Sequence, residues 1–86
     1  MSEFTRQTFL EEVFNDTYGI KPIVYFQRIN INQYKVKFVF NNKEIILTEN
    51  LKKGRTENVT LELAGNTQDF KSMYDAEIEA NKLLRA

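Results

Sequence analysis

The 86-residue chain predicts an α+β domain of two layers, with a helix, a four-stranded antiparallel sheet and a second helix in the order α-β-β-β-β-α. Three observations carry this. Gln33 to Thr48 alternates apolar and polar residues on either side of Asn41-Asn42, the period-2 signature of a half-buried hairpin. Glu57 to Ala64 alternates in the same way. Residues 5–18 and 67–85 repeat their apolar positions at helical spacing instead.

In the first helix, 5–18, Phe9, Leu10, Val13, Phe14 and Thr17 share one arc, and Glu11, Glu12, Asn15 and Asp16 fall mostly elsewhere. Gly19 suits the position after the last turn, and Pro22 forbids resumption. Glu11 and Glu12 are adjacent, so they point about 100° apart and read as a solvated face, not a catalytic or metal pair. Ile23 to Ile31 is the first strand. Its run Ile23-Val24-Tyr25-Phe26 predicts partial cover on both sides. Asn30-Ile31-Asn32-Gln33 turns into the second strand.

The central hairpin can be read in register. Asn tolerates positive φ, so Asn41-Asn42 suits a two-residue type I′ turn. That sets Phe40 opposite Lys43, Phe38 opposite Ile45 and Val36 opposite Leu47. The buried face is then Val36, Phe38, Ile45 and Leu47, with Tyr34 and Phe40 at its ends. The other face carries Lys35, Lys37, Val39, Glu44, Ile46 and Thr48. A one-residue slip would expose Phe38 and Phe40 to water.

Glu49 to Thr56 reads as a flexible loop with a basic cluster, Lys52-Lys53-Gly54-Arg55. It lacks Walker spacing, so it is no phosphate-binding P-loop. The strand Glu57 to Ala64 turns Val59, Leu61 and Leu63 inward. Gly65-Asn66-Thr67 ends it, and Asn66 with Asp69 predicts a helix cap. In the last helix, 67–85, Met73, Ala76, Ala80, Leu83 and Leu84 form the apolar stripe, which Phe70, Tyr74 and Ile78 extend. Ala76 and Ala80 permit close approach to the sheet. Glu77 and Asn81 interrupt the stripe; a seam between two packing surfaces, or side chains bending to solvent, is expected ahead of the alternative, a buried acid gripping a basic strand residue.

Composition narrows the function classes. The chain has no Cys and no His, which excludes disulfides and thiolate zinc sites and removes the usual partner of a nucleophile. No stretch approaches the roughly 20 apolar residues of a membrane span, and Met-Ser-Glu-Phe-Thr-Arg shows no secretion signal. A cytoplasmic protein of one domain, with no cofactor, is expected. Usage heavy in Asn, Lys, Ile, Phe and Tyr predicts a low-G+C bacterium, its phage or a mobile element as the source. The formal net charge is zero, but it is unevenly spread. Residues 1–20 hold one base against four acids, a net of −3; residues 21–55 hold eight bases against two acids, +6; residues 56–86 hold three against six, −3.

The order of elements resembles that of a double-stranded-RNA-binding domain, which runs helix, three strands, helix. Phe9-Leu10-Glu11-Glu12, the Tyr34 to Glu44 hairpin and the Ala-containing last helix carry the likeness. Where that family has Gly-Pro-X-His between strands, this chain has Asn30-Ile31-Asn32. Where its last helix opens Lys-Lys-X-Ala-Lys, this chain has Lys71-Ser72-Met73-Tyr74-Asp75. The strand at 57–64 is extra, and both helical segments are net acidic where the family's RNA lies. The resemblance is one of architecture, which does not carry function.

No catalytic constellation stands out. The sequence predicts a non-catalytic protein acting by stoichiometric protein contact, as a regulator, inhibitor or assembly factor. Its surface would be basic sheet and loop: Lys35, Lys37, Val39, Ile46, Lys52, Lys53 and Arg55. The partner expected is a protein with an acidic surface or a second copy of the chain. The alternative is nucleic acid on the same surface, with Tyr25, Phe26 or Tyr34 stacking on bases. If both helices cover one face of the sheet, Val39 and Ile46 stand on the other, and strand one adds Val24, Phe26 and Arg28 to them. If one helix lies on each side, the same patch is core.

Overall fold

Asn41 and Asn42 sit at φ 54° and 61°, the paired positive values that a type I′ turn requires. The computed structural model describes residues 3–86 and extends from that turn in both directions. The elements are α1 (Glu3–Tyr18), β1 (Ile23–Asn30), β2 (Gln33–Phe40), β3 (Lys43–Lys52), β4 (Arg55–Leu63), β5 (Asn66–Phe70) and α2 (Met73–Arg85). Met1-Ser2, at the start of the segment read as lacking a secretion signal, lies outside the described residues. The five strands form one antiparallel meander in the order β1-β2-β3-β4-β5. The α+β, two-layer architecture is as the sequence predicts, with five strands in place of four.

β2 and β3 pair in the expected register, Phe40 with Lys43, Phe38 with Ile45 and Val36 with Leu47. Two expectations downstream are corrected. Glu49 to Thr56 is not a loop: β3 and β4 continue through it and reverse at Lys53-Gly54, at φ 53° and 75°. Residues 66–70 are not the start of the last helix. Ala64-Gly65, at φ 50° and 83°, closes a further hairpin into β5. The helix starts only at Met73, where the Ser72 hydroxyl accepts from the Asp75 N–H at 3.1 Å. Ser72 therefore performs the capping role assigned by sequence to Asn66.

One hydrophobic cluster joins both helices to the same side of the sheet: Leu10 and Phe14 from α1, Ala76, Ala80 and Leu84 from α2. Between them lie Val24, Val36, Phe38, Ile45, Leu47, Val59 and Leu61. The Phe14 and Phe38 rings are 4.5 Å apart. Ala76 and Ala80 are fully buried, as their small size allows. At the other end of α2, the Lys43 ammonium donates to the carbonyl oxygens of Leu83, at 3.0 Å, and Ala86. A cation there satisfies free carbonyls and complements the helix dipole.

α1 packs along β1, the edge of the sheet, and this changes its buried line. Glu11 Oε1 accepts from the Val24 N–H at 3.4 Å, and Gln7 Oε1 from the Phe26 N–H at 3.3 Å. These outward-facing donors would otherwise form an open template for strand addition. Glu11 is therefore half-buried, not solvated, whereas Glu12 is exposed; Phe9, placed on the apolar arc, is 52% exposed. At the seam of the helices Tyr18 is half-buried, and burial, then the charge of Glu77 and the neighbouring Tyr74, hold its hydroxyl pKa above the ordinary value. Asn81 is buried, with no hydrogen-bond partner for Oδ1 among the described residues.

Candidate functional site

With both helices on one side, the other face of the sheet is uncovered among the described residues. The strand registers arrange it in rows. The first row runs Ile23, Val39, Glu44; the second Tyr25, Lys37, Ile46, Glu62, Thr67; the third Gln27, Lys35, Thr48, Thr60, Asp69. Lys35, Lys37, Val39 and Ile46, the four sheet residues singled out from sequence, thus share one face.

The contribution of β1 to this face is corrected. Val24 is fully buried in the core and Phe26 packs against it; Ile23, Tyr25 and Gln27 take the open positions. The cause is a bulge at Ile29. Asn30 pairs with Gln33 but Arg28 pairs with Tyr34, so one residue is left unopposed and every side chain upstream changes face. Because both helices lie on the inner side, β1 is not covered on both sides: Ile23 is 54% and Tyr25 51% exposed. The apolar run Ile23 to Phe26 gave no signal of this.

Lys37 organises the centre. Its ammonium lies 5.1 Å from the centroid of the Tyr25 ring, within cation–π range, and 3.7 Å from Glu44 Oε1. Tyr25, Gln27, Lys35, Lys37 and Ile46 line a shallow depression. Across the sheet the Thr60 hydroxyl donates to Asp69 Oδ1 at 2.8 Å, which holds an acid on the β5 side. Apolar patches rimmed by charge characterise protein-binding surfaces.

Lys52, Lys53 and Arg55 are not part of this patch. They form the tip of the β3–β4 hairpin, about 13 Å beyond Thr48 at the usual rise of a strand. A bulge between Asn50 and Leu51 interrupts the ladder there and bends the arm. The base of the arm is fixed. Leu51 N–H donates to Asn32 O at 2.8 Å, Gln33 Nε2 to Asn50 Oδ1 at 2.9 Å and the Thr56 hydroxyl to Glu49 Oε2 at 2.5 Å. The seven residues therefore divide into a face and an arm.

Among the described residues no group of three acidic side chains is placed to hold a metal ion, and no helix is long and apolar enough to cross a membrane. Comparisons with protein-family models, with curated proteins and with solved structures gave no match to this chain.

Proposed function

We propose that this chain is a small non-catalytic binding protein, a regulator, inhibitor or assembly factor that acts by stoichiometric protein contact. The surface is the open face of the sheet, with Lys35, Lys37, Val39 and Ile46, and the basic arm of Lys52, Lys53 and Arg55. One observation carries this: among the described residues the five-stranded sheet is packed on one side only, and its other side displays Ile23, Tyr25, Val39 and Ile46 beside two lysines. Half-exposed apolar groups on a rigid, hydrogen-bonded platform lose little entropy on binding. The charges around them steer approach and select the partner.

A second reading has support from Tyr25, an exposed ring flanked by lysines that offers a stacking platform to single-stranded nucleic acid. Glu44, Glu62 and Asp69 on the same face oppose it by repelling phosphates.

The test is capture of partners by the tagged chain from a lysate of the source cell, with and without nuclease. Three variants are compared: Lys35→Glu with Lys37→Glu, Val39→Ser with Ile46→Ser, and the arm triple Lys52, Lys53 and Arg55 to Ser. We expect a nuclease-resistant protein partner that is lost in the first two variants. Capture that vanishes with nuclease supports nucleic acid instead. Full capture by all three variants overturns this surface.

A further inference from the structure

The open face changes sign across its width. Lys35 and Lys37 stand on β2; Glu62 and Asp69 stand on β4 and β5; Ile46 and Thr48 lie between them on β3, the middle strand. A face that is basic on one side of its midline and acidic on the other complements itself when turned over about that line. We propose that the open face binds a second copy of this chain, sheet against sheet, about a two-fold axis along β3. This rests on the open face being a protein-binding surface, and it names the partner.

The registers decide what would meet. Rotation about β3 exchanges β2 with β4 and β1 with β5, and leaves each row at its own height. Lys37 and Glu62 occupy the same row, so each faces the other residue on the opposite copy, and the pair occurs twice. Ile46, in that row, meets itself at the axis. In the next row Lys35 faces Thr60 and has Asp69 on the diagonal. Glu44 also lies near the axis, but its carboxylate is drawn towards Lys37 of its own copy, 3.7 Å away. The contact is isologous, as two-fold symmetry requires, and twisted sheets stacked in this way cross at about 30°. An axis across the strands would instead set β2 on β2 and lysine against lysine.

The size suits a weak dimer. Five strands about 4.8 Å apart and about six residues long give a face of roughly 500 Å². Two such faces bury about 1,000 Å² in all, below the roughly 1,200–2,000 Å² of stable interfaces and in the range of weak, transient ones. A reversible, concentration-dependent dimer follows. The same axis sends both β3–β4 arms to one end, where two sets of Lys52, Lys53 and Arg55 stand side by side.

Sedimentation equilibrium of the full chain over a range of concentrations tests this. We expect the mass to rise from one chain towards two. Lys37→Glu alone sets carboxylates opposite carboxylates, and Glu62→Lys alone sets ammonium opposite ammonium; each should weaken association at least tenfold. Mixed in equal amounts, the two variants carry complementary faces and should recover the mass of two chains. Circular dichroism confirms that each variant is folded, and Glu62, being exposed, has little structural role to lose. A single-chain mass at every wild-type concentration overturns the proposal, as do single variants that associate like the wild type. An increase seen only with added oligonucleotide assigns the face to nucleic acid and overturns it too. A monomer that still captures a different protein leaves the broader function standing. A dimer that captures none removes that function and keeps the dimer.

Discussion

Phe38 and Lys37 are neighbours in the chain, and Ile45 and Ile46 are neighbours on the next strand, yet each pair is divided by the thickness of the sheet. Phe38 and Ile45 face the helices and are fully buried; Lys37 and Ile46 face outward and are half-buried. Only one face of an antiparallel sheet must be packed for it to be stable. The inner residues are apolar without exception along Val36, Phe38, Ile45 and Leu47, whereas the outer ones mix Lys, Glu, Val, Ile and Thr. Alternate residues of the same strands therefore answer to different demands. The inner set fixes the fold, and the outer set is free to specify a partner.

The largest expected effect is on the inner face. Phe38→Ala removes a ring held against Phe14 and should cost about 3–5 kcal/mol. A domain of this size has a total stability of about 5–15 kcal/mol, so urea denaturation should show a large loss or, at the low end of that range, an unfolded variant. An unchanged midpoint would mean that the two faces are wrongly assigned. A sharper comparison keeps the chemistry constant. Ile45→Ala should cost about 2–5 kcal/mol, and Ile46→Ala, one residue away, about 1 kcal/mol or less, since its site is open to collapse and solvent. Both are measured at concentrations where single chains dominate. Equal losses would show that something covers the outer face even in the monomer.

How much of this was legible in the sequence depended on the turns. Asn41-Asn42 names its own geometry, because Asn accepts positive φ, and the register of β2 on β3 followed to the residue. Lys53-Gly54 and Ala64-Gly65 make turns of the same kind, but Lys and Ala are poor residues for the first left-handed position. From sequence the first of these reads as a flexible loop and the second as the end of the sheet, so β5 reads as the opening of a helix. Its sequence, Asn66-Thr67-Gln68-Asp69-Phe70, has no apolar alternation because it is an exposed edge. The face of β1 was lost to a bulge of one residue, which no periodicity records. The basic cluster at Lys52 to Arg55 was visible as charge, but its distance from Lys35 and Lys37 was not. Separation depends on β3 and β4 remaining paired through Glu49 and Thr56, and side chain to side chain contacts across strands leave no local pattern.

The smallest effect should come from reversing the charge of Lys35 alone on the outer face. Lys35 is exposed and makes no close ion pair among the described residues. Lys37 has more to lose, its contact with the Tyr25 ring at 5.1 Å and its pairing with Glu44 at 3.7 Å. An exposed cation–π contact contributes about 0.5–1 kcal/mol, and a surface ion pair about 0–1 kcal/mol. The double change Lys35→Glu with Lys37→Glu should therefore cost about 0.5–2 kcal/mol in the monomer, most of it from Lys37. Lys35→Glu alone should fall within about 0.5 kcal/mol of the parent. Urea denaturation resolves that order, and partner binding measured on the same samples should show the reverse: a small change in stability with a large change in association. A Lys35→Glu variant that loses as much stability as Ile45→Ala would place Lys35 in the packed structure, and the division between a face that folds and a face that binds would fail at its centre.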